Sequence, residues 1–308
     1  MPEITKSLNQ SFPLWRYFFW DIPLWAIGWR SQHRWLRIQS ALSKDAIMLK
    51  NSLQAFYADR KNPVDIDNAV KQALLIRTIR NSDAYACLGI NKRNLYKNFS
   101  ISGLEHLRSR LGQDRPVFLL TAHIGSFYTI SIALAQLGIR INPVARTVDD
   151  SQYNPLPQQL FEHSNYWLTQ IKMPGQYIYT NNTRRMDRRI VSACKENKIL
   201  LVLLDLPRKF IPANRHPVQF LGKKSSFPIR LIDLGVKYNA IFLTLWSTIE
   251  TKPDFSFKRR LTIDPVIQTT DRKKIIQSYA DRLSSIAYQE PWQWLGSMII
   301  NQYNEETT

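Results

Sequence analysis

Pro116-Val-Phe-Leu-Leu-Thr-Ala-His-Ile-Gly-Ser-Phe-Tyr128 reads as a buried strand that ends, turns sharply and opens a helix. Val117 to Leu120 is a short, partly β-branched apolar run, as in the middle of a parallel sheet. Thr121 and Ala122 end it. Gly125 permits a tight turn or a close backbone approach, and Ser126 is a residue type that caps helix N-termini. From Phe127 to Leu137, Ile130, Ala133, Leu134 and Leu137 recur at helical spacing, and Gly138 follows as a C′ residue. His123 is thereby placed at the carboxyl end of a strand, just ahead of a helix, where open α/β sheets bind ligands. A catalytic imidazole is one reading of it; a histidine satisfied within the core is the plain alternative.

Outward from this stretch the pattern alternates. Arg140 to Arg146 reads as the next strand, weakened by Pro143. Arg184 to Lys195 is a helix with Met186, Ile190, Val191 and Cys194 inward, and Ile199 to Asp205 is a second buried strand ending in an acid. A helix from Ile229 to Gly235 and a third strand from Ala240 to Trp246 follow. Ile275, Ile276, Tyr279, Leu283 and Ile286 stripe a late amphipathic helix, read as core packing. The alternation predicts an α/β fold with a central, mostly parallel sheet flanked by helices. Residues 41–110 read as helical, with Pro63, Asp65 and Asp67 at a helix start. Residues 147–183 read as a long polar loop with helical pieces, its aromatics being Tyr153, Phe161, Tyr166, Trp167, Tyr177 and Tyr179. Pro207 to Lys224 is basic, with Arg208, Lys209, Arg215, Lys223 and Lys224.

The 308 residues are 44% hydrophobic, and Lys plus Arg outnumber Asp plus Glu by 42 to 24, a net charge of +18. Such an excess calls for an anionic partner: a membrane surface, an acidic carrier protein or a nucleic acid. No RNP, zinc-finger or P-loop pattern supports the last, so no nucleic acid is expected. Cys87 and Cys194 stand apart from any C-x-x-C pair, which offers no metal or redox motif. No secretory signal is visible. Residues 1–40 carry five of the nine tryptophans, interleaved with Arg16, Arg30, Arg34 and Arg37. Arg16, Asp21 and Pro23 interrupt the best apolar window, so this segment is expected to be helical and to lie in a membrane interface or cover the core, not to span. Residues 41–308 are expected to form one α/β domain.

The stretch Ile101-Ser-Gly-Leu-Glu-His-Leu-Arg, continued by Arg115 to Phe127, resembles the central motif of the lipid A late acyltransferases, the bacterial lauroyl/myristoyl transferase family. The likeness continues in collinear order through Arg146 after a strand, Asp205 at a strand end, Gln219-Phe-Leu-Gly-Lys223, similar to the family's Phe-Phe-Gly segment, and Pro291-Trp-Gln-Trp294. The family carries Asp or Glu five residues after the motif His, where this chain has Tyr128, and Gly296 stands where the family ends in Trp. The resemblance implies a glycerolipid-acyltransferase-like fold and a peripheral enzyme at the cytoplasmic face of the inner membrane. Its donor would be an acyl carrier protein or acyl-CoA thioester, with no resident cofactor or metal.

On that basis His123 is the expected base for a hydroxyl or amine acceptor. The backbone amides around Gly125 to Phe127 are expected to face the developing oxyanion. Tyr128 is a candidate to hold the His123 tautomer, and Asp205, Asp149 and Asp150 are candidates for the missing acid. An amine nucleophile that arrives neutral would lessen the need for one. Gly125, Ser126, Arg146, Arg208, Phe220 and Gly222 are expected to bind substrate, Arg146 through a planar guanidinium suited to an anion. The aromatics of residues 153–179 and the first helices are expected to line the acyl groove. The competing expectation is a noncatalytic scaffold of the same fold that binds membrane or carrier protein.

Overall fold

The computed structural model describes residues 46–57, 65–86, 89–145, 170–179, 183–252, 256–297 and 303. Residues 1–40, Cys87, Arg146, Asp149, Asp150 and the aromatics at 153, 161, 166 and 167 lie outside that set, as does the Met186 side chain, and so do the expectations placed on them.

The core is a seven-stranded sheet. Its strands are β1 (Phe99–Ser102), β2 (Val117–Thr121), β3 (Ile141–Ala145), β4 (Ile178–Tyr179), β5 (Ile199–Leu203), β8 (Ile241–Thr251) and β9 (Phe257–Ile263), in spatial order β1-β9-β8-β2-β5-β3-β4. Every neighbouring pair is parallel except β8 with β9. All five residues of β2 are buried, which suits a strand covered on both faces.

Alternation along β2 sends its side chains into two separate cores. Phe118 and Leu120 meet α6 (Thr183–Lys195), α7 (Arg230–Lys237) and α8 (Arg272–Gln289) through Ile190, Ile232 and Ile276. Val117 and Leu119 meet the other layer, with Leu95 of α3 (Leu95–Asn98), Leu107 of α4 (Leu104–Arg108) and Leu134 of α5 (Ile130–Gln136). The amino-terminal pair α1 (Ala46–Tyr57) and α2 (Ile66–Ala86) pack together through Leu49, Leu53, Val70 and Leu74. Asp65 caps α2, its Oδ1 accepting the Asn68 N–H at 2.9 Å. On α8, Arg282 reaches Asp264 at 2.9 Å, and that carboxylate also accepts the Trp246 indole N–H at 2.7 Å, fastening the helix to the sheet.

The expected strands and the three later helices are present, at slightly shifted bounds. Four local readings differ. Residues 41–110 are not all helical, because β1 extends the sheet beside β9. The strand expected to stop at Trp246 runs to Thr251, since β9 folds back to pair with its second half. The basic stretch after Pro207 holds a hairpin, β6 (Arg215–Phe220) with β7 (Lys223–Pro228). The helix after Ser126 opens as a 3-10 turn, Phe127–Thr129, and becomes α5 at Ile130, with no bond from the Ser126 hydroxyl to cap it. Among the described residues no helix is long and apolar enough to cross a membrane.

Candidate active site

β2 and β5 lie side by side, parallel, with Thr121 opposite Leu203. Two residues beyond each of those positions stand His123 and Asp205, so the register alone brings them together at the carboxyl edge. Asp205 Oδ1 lies 2.8 Å from His123 Nδ1, and Oδ2 accepts the His123 backbone N–H at 2.9 Å. The carboxylate side chain is 1% exposed, whereas the imidazole is 26% exposed. A carboxylate acceptor at Nδ1 fixes the proton there, which leaves Nε2 of a neutral ring as a free base on the side away from the buried acid.

The pair is held from four directions. Trp294 Nε1–H donates to Asp205 Oδ2 at 2.9 Å, and the Tyr303 hydroxyl donates to the Asp205 carbonyl at 2.5 Å. The Tyr279 hydroxyl, from α8, donates to the carbonyl of Thr121 at 2.9 Å. Both phenols are held well above their ordinary pKa, by burial first and then by the nearby Asp205 charge. Arg215 of β6 ties down the loop after Asp205, donating to Leu206 O at 2.9 Å and Ile211 O at 3.0 Å.

The turn carrying His123 is clamped as tightly. Gly125 has φ +47°, and a Cβ on it would fall 2.2 Å from Ser247 O and 2.8 Å from Thr248 Cα of β8. Both expected uses of this glycine, positive φ and close approach, apply here. On the other side Gly125 N–H donates to Gln293 O at 2.8 Å and Leu295 N–H to His123 O at 2.9 Å, with Ile124 bridged to Trp294.

These contacts correct several expected roles. The Gly125 amide is spent on Gln293 and is no oxyanion donor. Nδ1 of His123 belongs to Asp205, so Tyr128 does not set the tautomer; its ring lies against Phe127, centroids 4.1 Å apart. Ser126 is fully buried, near Asp83, and meets no substrate directly. Phe220 is 3% exposed and packs edge-on against Trp294 at 5.3 Å and Phe227 at 5.0 Å, a core role. Gly222 follows Leu221 at the β6–β7 turn with φ +76° and 53° respectively, the left-handed pair that a tight hairpin requires. Arg208 and Lys209 stand exposed just past Asp205, open to an anionic partner. Tyr177 and Tyr179 stack at 5.8 Å on and beside β4, three strands from β2.

Sequence reading missed Arg215 as a staple, counting it only as charge, and missed Tyr303 altogether. Nothing local to those residues marks them, because the Tyr303 hydroxyl meets Asp205 across 98 residues and Arg215 bonds across a hairpin. Among the described residues no group of three or more His, Cys, Asp or Glu gathers to hold a metal ion. Compared with protein-family models and with curated proteins, the chain matches none.

Proposed function

We propose that this protein is an acyltransferase of divergent sequence. It moves a fatty acyl chain from a carrier-protein or CoA thioester to a hydroxyl or amine, with His123 as general base and Asp205 as the acid that orients it. The observation that carries the reading is the 2.8 Å contact between His123 Nδ1 and the buried Asp205, behind an imidazole that stays partly open.

In the reaction, the acceptor's oxygen or nitrogen forms a bond to the thioester carbonyl carbon as Nε2 takes its proton. The tetrahedral intermediate collapses, the C–S bond breaks, and the imidazolium returns the proton to the departing thiolate. Asp205 stabilises the imidazolium while it lasts, the role of the buried acid in acid–His pairs. General base assistance of this kind contributes about 10²–10⁴-fold. The lipid A late acyltransferase resemblance supports the reading from the sequence side, and Asp205 supplies the carboxylate that Tyr128 lacks. Exposed Arg208 and Lys209 beside the site suit an acidic carrier protein as donor, approaching an anionic membrane surface.

The test is thioester turnover by the full chain, following free thiol and acylated acceptor by mass spectrometry. His123→Ala should abolish transfer. Turnover unchanged in that variant would remove the base role. Carrier-protein binding with no turnover on hydroxyl and amine acceptors would favour the scaffold.

A further inference from the structure

The amino edge of the sheet, opposite the edge that carries His123, holds a cleft of about 260 Å³. β2, β5 and β3 are adjacent there, with Val117, Ile199 and Ile141 in register. A cation precedes each strand: Arg115 two residues before Val117, Lys198 just before Ile199 and Arg140 just before Ile141. Neighbouring strands lie about 4.8 Å apart, so three positive side chains start from one short length of edge. Arg110, in the turn after α4, is the fourth cation to line the cleft. Among the described residues no acidic side chain lines it.

The fold answers two of these cations. Lys198 Nζ pairs with Glu196 at 2.5 Å. Arg115 donates from Nε to Asn239 O at 2.7 Å and from Nη2 to Ala240 O at 3.4 Å. The other two are unanswered. Among the described residues no acceptor takes a hydrogen bond from the Arg110 or Arg140 guanidinium, and Nε of Arg110 is buried. Buried donors in folded proteins are nearly always paired. An unpaired one, on a side chain that lines a cleft, marks the place of a missing acceptor.

The chemistry of the cleft says which acceptor. Two unanswered guanidiniums call for more than a single negative charge. A phosphate monoester carries close to two at neutral pH, with three strong acceptor oxygens, and each guanidinium offers it a planar fork of donors. The volume falls just under the range of small-molecule sites, about 300–1,000 Å³, which suits a phosphate with a small organic body. Leu111, 40% exposed, and buried Ile139 line the same cleft and give that body an apolar wall. His123 stands six residues beyond Val117, roughly 20 Å along the strand at about 3.3 Å per residue. The occupant therefore does not touch the imidazole.

We infer that this cleft is a second ligand site, which binds a small soluble organic phosphate through Arg110 and Arg140, with its apolar body against Leu111. The inference does not rest on the acyl-transfer reading, and thioester turnover does not decide it.

The probe is phenyl phosphate, titrated calorimetrically into the full chain at constant ionic strength, with inorganic phosphate and benzoate for comparison. One site is expected. Its affinity should fall tenfold or more in Arg110→Gln and in Arg140→Gln, and stay unchanged in Lys209→Gln, at the opposite edge. Inorganic phosphate, without the apolar body, and benzoate, with one charge, should both bind more weakly. No binding by wild type, or equal binding by wild type and both glutamine variants, overturns the site. Benzoate or inorganic phosphate bound as tightly as phenyl phosphate overturns the ligand class. Loss confined to Lys209→Gln places the phosphate at the His123 edge and also overturns the site. Should Arg110→Gln not fold, hydrogen exchange on the wild type decides: phenyl phosphate should protect amides of residues 108–113 and 138–142, and protection confined elsewhere overturns the site. Phosphatidylcholine vesicles containing phosphatidic acid are the final arm. Vesicle binding indifferent to Arg110 and Arg140 supports the soluble ligand. Vesicle binding that needs both, without binding of phenyl phosphate, assigns the cleft to a lipid headgroup and overturns it.

Discussion

At the scale of single residues, the site depends on a carboxylate that is near His123 in space and distant in sequence. Asp205→Asn preserves the shape but presents an amide donor where an acceptor is needed. Transfer should fall about 10⁴-fold, as it does when the acid of a hydrolase triad is so changed. The measurement is kcat on a thioester, with circular dichroism to confirm folding; a fall of less than tenfold would contradict the orienting role. Trp294→Phe keeps an aromatic ring against Phe220 and removes the N–H that meets Asp205 Oδ2. Leaving that buried acceptor one donor short should cost about 1–3 kcal/mol of stability, read from the urea midpoint, and should lower kcat more than it raises KM. A variant as stable and active as wild type would show that the indole N–H is idle.

At the scale of elements, the His123 turn is squeezed between β8 and the 291–297 segment. Gly125→Ala must relieve both a positive φ and a clash with the Ser247 carbonyl. Strain in a sparsely populated backbone region costs about 1–3 kcal/mol, and the clash adds to it. Denaturant unfolding should show at least that loss together with reduced transfer, because the imidazole moves with the turn; unaltered stability would mean that the approach to β8 is looser than 2.2 Å implies.

How far this was readable from the sequence follows from range. The strand Val117–Leu120, the turn glycine and the helix after it are local signals, and all three stand. Asp205 was legible as an acid at a strand end, but its place beside His123 depends on β2 and β5 being neighbours in one register, which no local pattern encodes. β1 and the β6–β7 hairpin were missed for a related reason: Phe99–Ser102 is only four residues long, and the charges of Arg215 to Lys224 mask a hairpin that buries Val218, Phe220 and Phe227 on its inner side. Phe220 and Gly222, expected to bind substrate, are a core ring and a turn.

At the scale of the whole molecule, two buried phenols link stability to pH. Tyr279 and Tyr303 have folded pKa values held well above the ordinary 10.0. In the unfolded chain they ionise near that value, so the folded state binds more protons above it. Their contribution is therefore intact below pH 10 and is lost as pH rises beyond it. The slope of stability against pH above 10 should be shallower in Tyr279→Phe than in wild type, quite apart from the lost hydrogen bond to Thr121, which shifts the whole curve; parallel curves would contradict the burial of that phenol. Cys194 tests the same sheet face independently. Burial raises its thiol to about 11, so in a Cys87→Ser background at pH 8 its alkylation should proceed only as fast as the protein opens.

The central claim is that one imidazole, oriented by Asp205, removes a proton from an acyl acceptor at the open edge of the sheet. Its most direct measurement is single-turnover transfer from a carrier-linked fatty acyl chain, as a function of pH, in wild type, His123→Ala and Asp205→Asn. The account predicts transfer in wild type with an acidic limb reporting one ionising base, no transfer in His123→Ala, and a residual rate in Asp205→Asn. Transfer of equal rate in all three proteins would contradict it.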